Sequence, residues 1–197
     1  YLSGVSQVEW VEQFMQEFAN PQTKIFVDPV LGDEGVYYRG FGDEMCQAMK
    51  KLCGKADVIT PNLTEVLFLL GKKADLKAES QNLEQIRNYA RQLSQLGPKT
   101  VIITGVSQGE KIWNIGYSAK EDSFFEVSTQ KTGEGYSGTG DILTSVICGC
   151  MIKGESPQKA LKKAAAFLQA SIEEAVEDKT DPNEGVAFEH HLSLLFD

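Results

Sequence analysis

The stretch GEGYSGTGD, residues 133–141, runs directly into the apolar run at 142–151, and this change predicts a glycine-rich turn followed by a helix. Glycines just before a helix allow several backbone N–H groups to point at one spot, and the helix start adds roughly half a positive charge there. An oxyanion or phosphate would be held at such a spot. Asp141 falls in the first predicted helical turn, where its carboxylate could take a proton from an attacking hydroxyl group. This glycine-rich turn therefore favours phosphoryl transfer.

The same turn has a purely structural explanation, in which Thr139 or Asp141 only caps the helix that follows. Caps of this kind are common at helix starts. The turn alone leaves both explanations open, and the rest of the chain favours the first.

Composition restricts the classes of protein that this chain can belong to. With 197 residues and 42% hydrophobic content, the chain can bury one substantial core, and no composition shift divides it, so we expect a single domain over residues 1–197. A net charge of −9 argues against a nucleic-acid partner. Any phosphate must therefore be bound locally, by glycine amides, a single lysine and a divalent cation. His190 and His191 lie in a polar stretch and are predicted to be solvated tail residues.

The cysteines and the apolar runs indicate in which cellular compartment the protein is expected. The spacing of the cysteines fits neither a zinc site nor a secreted disulfide scaffold, and we expect buried free thiols. No apolar run reaches the roughly 20 residues of a membrane span, and no signal peptide opens the chain, so we expect a soluble, cytoplasmic protein. The four cysteines are Cys46, Cys53, Cys148 and Cys150.

Strands alternate with helices along the sequence, which is typical of a mostly parallel sheet covered on both faces. The last two strands are expected to be antiparallel at the sheet edge, and a loop rich in Gly and Asp is expected after the first strand. Strands are predicted at 25–27, 58–59, 100–104, 111–117 and 124–129. Helices are predicted at 5–18, before Gly54, at 63–70, around 83–96, after the glycine-rich turn and from Ser156-Pro157 onward.

Polar side chains stand just beyond the predicted strand ends or at helix starts. In open α/β sheets this edge is where ligands bind. We therefore expect one functional edge, made by the glycine-rich turn with Asp28, Thr60, Asn62, Glu65 and Thr104.

Each of these residues also has a structural alternative. Asp28 precedes Pro29 and could only shape a turn. Asn62 and Glu65 have the spacing of a capping box, a role compatible with a carboxylate that holds water on Mg²⁺. Thr104 could be an ordinary strand-end threonine, although its hydroxyl would suit a phosphate oxygen.

Three motifs, in order and in approximate spacing, resemble those of the pyridoxal kinases within the ribokinase-like superfamily of small-molecule kinases. They are DPVLGD at 28–33, TPNLTE at 60–65 and GTGD at 138–141. The resemblance covers essentially the whole chain. It implies a three-layer α/β/α fold with a mostly parallel central sheet.

The resemblance also implies roles for particular residues. Asp141 would deprotonate the substrate's hydroxymethyl group, while Gly138, Thr139 and Gly140 would form the anion hole for the transferring phosphate. Asp28 and Glu65 would serve Mg²⁺ and the phosphates. The nucleotide would be bound by Asp28, Thr60, Glu65, Thr104, Glu126, Val127, Ser128 and Thr129.

The reaction implied by the resemblance is ATP-dependent phosphorylation of the 5′-hydroxymethyl group of a B6 vitamer, with Mg²⁺ as cofactor. A monovalent cation such as K⁺ and a homodimer are further expectations. Hydroxymethylpyrimidine kinase is the nearest rival, since it phosphorylates a similar hydroxymethyl group. Gly32-Asp33 and the Asp141 that follows GTG both favour the pyridoxal kinase form.

One departure from the family concerns the start of the sequence. Pyridoxal kinases carry an N-terminal portion, with the opening strands of the sheet, that has no counterpart here. We expect a truncated or partially recorded chain, which would expose a sheet edge. A naturally short nucleotide-binding remnant without kinase activity and a chain completed by a partner are the alternatives.

Overall fold

The computed structural model describes residues 1–73, 76–133 and 135–196. The chain divides into two compact units. One comprises Tyr1–Val106 with Ile115–Phe124, and the other comprises Ser107–Asn114 with Phe125–Asp197. The single domain expected over residues 1–197 stays a prediction. Within the described ranges, no helix is both long and apolar enough to span a membrane.

The central sheet has five strands in the order β1-β4-β5-β6-β7. Its parallel part pairs Phe26 with Val58 and Val58 with Thr100. Only two residues join β5 to β6, and such a short connection can link only antiparallel neighbours. These strands are β1 (Phe26–Val27), β4 (Val58–Ile59), β5 (Thr100–Gln108), β6 (Lys111–Ser118) and β7 (Ser123–Gln130). The predicted mostly parallel α/β architecture is therefore confirmed.

Seven α-helices accompany the strands within the described residues. Ser156 caps the last of them by accepting the Lys159 N–H at 3.3 Å, and Pro157 is its first residue, as the sequence predicts. Their bounds are α1 (Val5–Phe18), α2 (Asp43–Cys53), α3 (Leu63–Leu69), α4 (Leu76–Ser80), α5 (Leu83–Ser94), α6 (Thr139–Ile152) and α7 (Pro157–Glu177). Two 3₁₀ helices follow, Pro182–Glu184 and Phe188–Leu195.

The loop predicted after the first strand contains a small hairpin instead. Strands β2 (Gly32–Asp33) and β3 (Val36–Tyr37) pair antiparallel. Glu34 and Gly35, with φ of 50° and 81°, form the two-residue turn between them. Turns with two left-handed residues match the twist of a hairpin, and the Gly and Asp content of this stretch allowed one. The strands are too short for periodicity to indicate them.

Strand β5 continues beyond its predicted end at Thr104. Gly105 has φ +69°, yet the strand reaches Gln108 and Val106 is only 1% exposed. A glycine inside a strand is tolerated where the backbone bends, and the prediction treated it as a terminator.

The predicted solvated state of the two histidines is wrong for His191. Glu174 on α7 lies 2.6 Å from His190 Nδ1 and 2.7 Å from His191 Nε2. The His191 side chain is 25% exposed, whereas that of His190 is 69% exposed. All four cysteines are free, and of these Cys148 alone is half-buried rather than buried.

Candidate functional site

The first set of predicted site residues lies in the first unit, where strands β1 and β4 end. The two strands are paired in register, Val27 with Ile59, so the residues that follow them come out side by side. Thr60 Oγ1 donates to Asp28 Oδ1 at 3.3 Å, and the Thr60 N–H donates to the Val27 carbonyl at 3.2 Å. Thr60 is buried and Asp28 is half-buried. The structure thus brings these two predicted residues into contact.

Thr104, within β5, lies at the same place in the first unit. Thr104 forms a parallel bridge with Asn62, and its N–H donates to the Pro61 carbonyl at 2.9 Å. The predicted gathering of Asp28, Thr60, Asn62 and Thr104 is therefore observed within the first unit. Their roles towards a nucleotide stay predictions.

Glu65 forms the capping box that its spacing from Asn62 predicts. Asn62 Oδ1 accepts the Glu65 N–H at 2.9 Å, and Glu65 Oε2 accepts the Asn62 N–H at 2.8 Å. The second carboxylate oxygen, Oε1, accepts the Leu31 N–H at 3.0 Å, and Asn62 Nδ2 donates to the Gly32 carbonyl at 2.9 Å. The pair therefore ties the DPVLGD segment to the TPNLTE segment. The sequence contains both motifs, but it does not show which of their backbone groups form hydrogen bonds with each other.

The environment of Glu65 disfavours its ionised form. Only 3% of the residue is exposed, and burial raises its pKa to about 8. The N–H groups of Leu31 and Asn62 act in the opposite direction, while the nearby Asp28 raises the pKa further. Because the pKa of Glu65 is raised, a cation at this carboxylate would compete with a proton.

This shift predicts how stability depends on pH. The pKa of Glu65 is about 8 in the folded protein against 4.5 for an ordinary glutamate, so the folded state binds the proton more tightly. The proton on Glu65 stabilises the folded state fully when the pH is below the pKa of the unfolded state. This stabilisation is lost as the pH rises through the pKa of the folded state. We expect the free energy of unfolding to fall between about pH 5 and pH 8, by at most about 1.4 kcal/mol per pH unit.

Urea unfolding over this pH range tests the expectation. Glu65→Gln removes the titration, so the pH dependence of its stability should be flatter than that of the wild type. Glu44→Gln, at an exposed glutamate of α2, is the matched control and should retain the wild-type slope. Equal slopes for the wild type and Glu65→Gln would contradict the raised pKa.

The second set of predicted residues lies in the second unit, at the glycine-rich turn. Gly138 is the N-cap of α6, with φ +78°, and Asp141 is exposed in the first turn. Thr139 Oγ1 donates backwards to the Tyr136 carbonyl at 2.9 Å. The alternative in which Thr139 caps the helix is therefore wrong, because Gly138, which has no side chain, is the N-cap residue.

The start of α6 is consequently open to an anion. The first N–H groups of a helix have no partner within it. A Cβ added at Gly138 would meet nothing within 4 Å, so the space beside the cap is empty. These features are what a phosphate oxygen needs, namely free N–H donors, positive helix-end potential and room.

Sequence reasoning missed the role of Tyr136 within the turn. Its side chain is 8% exposed, although glycine and polar residues surround it in sequence. A single large aromatic residue inside a glycine-rich turn could have indicated that this side chain is buried.

The predicted nucleotide-binding residues of β7 lie on a different element of the second unit. Glu126 is exposed, and the next three residues are half-buried. The predicted place of Glu126, Val127, Ser128 and Thr129 beside a nucleotide stays a prediction.

No cluster of three or more His, Cys, Asp or Glu side chains suited to a metal occurs in the described part of the chain. Mg²⁺ usually binds through one or two carboxylates together with water and substrate phosphates. The half-buried carboxylate of Asp28 fits that donor set, whereas both oxygens of the buried Glu65 already accept backbone N–H groups. Asp28 is therefore the stronger candidate of the two.

Comparison with known proteins identifies the family. Residues 2–186 match the family described as phosphomethylpyrimidine kinase, and the chain belongs to this family.

The similar proteins include both curated sequences and solved structures. The chain is 28% identical to the pyridoxal kinase of Arabidopsis thaliana over 186 residues, which are 90% of this chain and 58% of that protein. A crystal structure of a proposed phosphomethylpyrimidine kinase from Bacteroides thetaiotaomicron, obtained with pyridoxal, is 38% identical with a TM-score of 0.90 and covers 99% of this chain and 68% of its own. The Staphylococcus aureus pyridoxal kinase in complex with AMP-PCP and pyridoxal is 25% identical with a TM-score of 0.70, covering 87% of this chain and 59% of its own.

These similarities confirm the predicted resemblance to pyridoxal kinases and the ribokinase-like fold. This chain nevertheless spans only a little over half the length of the Arabidopsis relative. The activity and substrates of the complete relatives therefore come to this chain as proposals.

Proposed function

We propose that this chain carries out ATP-dependent phosphorylation of the 5′-hydroxymethyl group of pyridoxal or another B6 vitamer, as in B6 salvage. The observation that carries the proposal is the open start of α6, where Asp141 is exposed in the first turn beside the uncapped N–H groups. Membership of a family of small-molecule kinases supports the same chemistry.

The residues have distinct roles in the proposed reaction. The Asp141 carboxylate accepts the proton of the substrate hydroxyl, whose oxygen attacks the γ-phosphorus of ATP. The bond between this phosphorus and the bridging oxygen breaks, and ADP leaves with the electron pair. The N–H groups of Gly138, Thr139 and Gly140 stabilise the charge on the transferring phosphoryl oxygens.

The resemblance assigns further residues to the cation and the nucleotide. Asp28 and Glu65 would hold Mg²⁺, which neutralises phosphate charge when bound. Thr60 and Thr104 would donate hydroxyl hydrogen bonds to phosphate oxygens, and 126–129 would bind the nucleotide. A monovalent cation such as K⁺ and a homodimer belong to the same proposal, since both are implied by the resemblance.

Hydroxymethylpyrimidine kinase is the second candidate, favoured by the description of the matching family. Both candidates use an acceptor whose hydroxymethyl group sits on an aromatic ring, so the choice of acceptor separates them. ATP consumption should be measured with Mg²⁺ and pyridoxal, with hydroxymethylpyrimidine and without an acceptor. The proposal requires the highest rate above background with pyridoxal. Preference for the pyrimidine supports the second candidate, and a background rate with both contradicts both.

The anion hole leads to a separate prediction at Gly138. A Cβ at this residue would occupy the empty space where the phosphate is proposed to lie, so Gly138→Ala should lower kcat/KM by about a hundredfold. The left-handed conformation adds a stability loss of about 1 kcal/mol.

Gly154→Ala provides the matched control, because Gly154 has φ +91° and also has nothing within 4 Å of an added Cβ. It lies just after the other end of α6. Both variants should lose similar stability in thermal unfolding, and only Gly138→Ala should lose activity. Equal activities of the two variants would rule out the anion hole at Gly138.

A further inference from the structure

The chain that follows α7 returns to the glycine-rich turn. We call residues 181–195 the C-terminal segment. The Ser137 N–H donates to the Pro182 carbonyl at 2.9 Å, immediately before Gly138. A Cβ added at Gly185, which has φ +81°, would lie 3.1 Å from the Ser137 carbonyl oxygen. The backbone of the C-terminal segment therefore runs directly against the residue that precedes the anion hole.

Tyr136 anchors the other side of this contact. Its buried side chain forms one cluster with Ala175 of α7 and Val186 of the C-terminal segment. Ile142, the residue after Asp141, packs on the same cluster, as does Phe188. The two ends of the segment that carries the anion hole and Asp141 thus rest on a common apolar base.

Helix α7 also limits where the glycine-rich turn can lie. A Cβ at Gly133, with φ +65°, would be 2.5 Å from a methyl group of Val176. Gln169 Nε2 donates to Thr132 Oγ1 at 3.0 Å. The turn therefore begins in close contact with α7.

The C-terminal segment contacts α7 through His190 and His191, which both lie against the carboxylate of Glu174. Each carboxylate oxygen of Glu174 contacts one imidazole, at 2.6 and 2.7 Å. The rings of Phe167 and Phe188 pack edge to face at 6.4 Å between centroids. These contacts fix the C-terminal segment on the same helix that supports the turn.

We propose that the C-terminal segment is a positioning element for phosphoryl transfer, which holds Tyr136 and Ser137 and thereby directs the N–H groups of Gly138, Thr139 and Gly140. The inference rests on the proposed function of this turn. No residue of the segment need touch the substrate. Its effect is on the geometry of the anion hole, where a displacement of about 1 Å can cost a hundredfold in rate.

Two variants loosen the C-terminal segment without altering the turn. Glu174→Gln leaves one imidazole without its carboxylate oxygen, and Gly185→Ala pushes the segment away from the Ser137 carbonyl. The matched controls are Glu177→Gln, at an exposed glutamate of α7, and Gly154→Ala. All variants are made in the full chain and measured well below their unfolding temperatures.

The first measurement is the set of ¹⁵N–¹H amide shifts of Ser137, Gly138 and Gly140. Both test variants should move these signals more than either control does. The second measurement is steady-state kinetics, where kcat should fall about ten- to a hundredfold while KM for the acceptor stays unchanged. A merely stabilising role would lower the unfolding temperature and leave kcat per folded molecule at the wild-type value.

The outcomes separate this inference from the proposed function. Amide shifts and kcat values equal to those of the controls, in an active wild type, overturn the positioning role alone. A wild type that transfers no phosphate overturns the proposed function, and the amide shifts then decide by themselves whether the C-terminal segment directs the turn.

Discussion

Asp141→Asn is expected to lower turnover by about two to four decades, the usual scale for removal of an acid–base group. The amide has nearly the same shape as the carboxylate but cannot accept the proton of the substrate hydroxyl. Because Asp141 is exposed in the first turn of α6, the substitution leaves no buried group without a partner. Only the favourable charge at the helix start is lost, about 0.3–1 kcal/mol of stability.

The affinity for ATP shows whether Asp141→Asn has lost only the catalytic base or has also lost the nucleotide-binding site. ATP binding, measured by calorimetry with Mg²⁺, should survive in Asp141→Asn. Asp178→Asn is the matched control, because Asp178 is an exposed carboxylate at the end of α7 in the same unit, and it should keep full turnover. Wild-type turnover in Asp141→Asn would exclude the residue as the base.

Glu65→Ala is expected to give the largest loss of stability, about 3 kcal/mol or more. The substitution removes the acceptor of the Leu31 N–H and of the Asn62 N–H, and it breaks a capping box. Each buried donor left unpaired costs about 1–3 kcal/mol, and the cap contributes about 1 kcal/mol. The cavity left by the buried side chain adds to the loss.

Urea unfolding at one pH measures this loss, with Glu44→Ala at the exposed glutamate of α2 as control. A loss below about 1 kcal/mol would show that the contacts of Glu65 contribute little to stability. The same variant also tests the proposed cation role. Where it remains folded, its Mg²⁺ titration in the presence of ATP should be weaker than that of the wild type. An unchanged titration would leave Glu65 with the structural role alone.

The sequence predicted those parts of the fold whose signals are local. The bounds of α1 agree because apolar residues recur at helical spacing over four turns, and α7 begins where Ser156 and Pro157 predict. The residues after β1 and β4 lie side by side, with Thr104 of β5 next to them, because the three strands are parallel neighbours. The hairpin at Gly32–Tyr37 was missed because strands of two residues have no measurable period.

Contacts between distant parts of the chain were not predictable. Glu65 reaches Leu31, 34 residues earlier, through a backbone N–H that carries no side-chain signal. His191 meets Glu174 only because the chain reverses after α7, so polarity alone suggested exposure. Tyr136 is buried by Val186, which follows it by fifty positions in the same unit.

The central claim is that this chain transfers the γ-phosphoryl group of ATP to the hydroxymethyl oxygen of a B6 vitamer. The most direct test is to incubate the purified chain with Mg²⁺, ATP and pyridoxal, and to identify the product by mass spectrometry and ³¹P NMR. We expect pyridoxal 5′-phosphate together with an equal amount of ADP. Nucleotide binding without any phosphorylated vitamer would contradict it and identify the chain as a nucleotide-binding protein without this kinase activity.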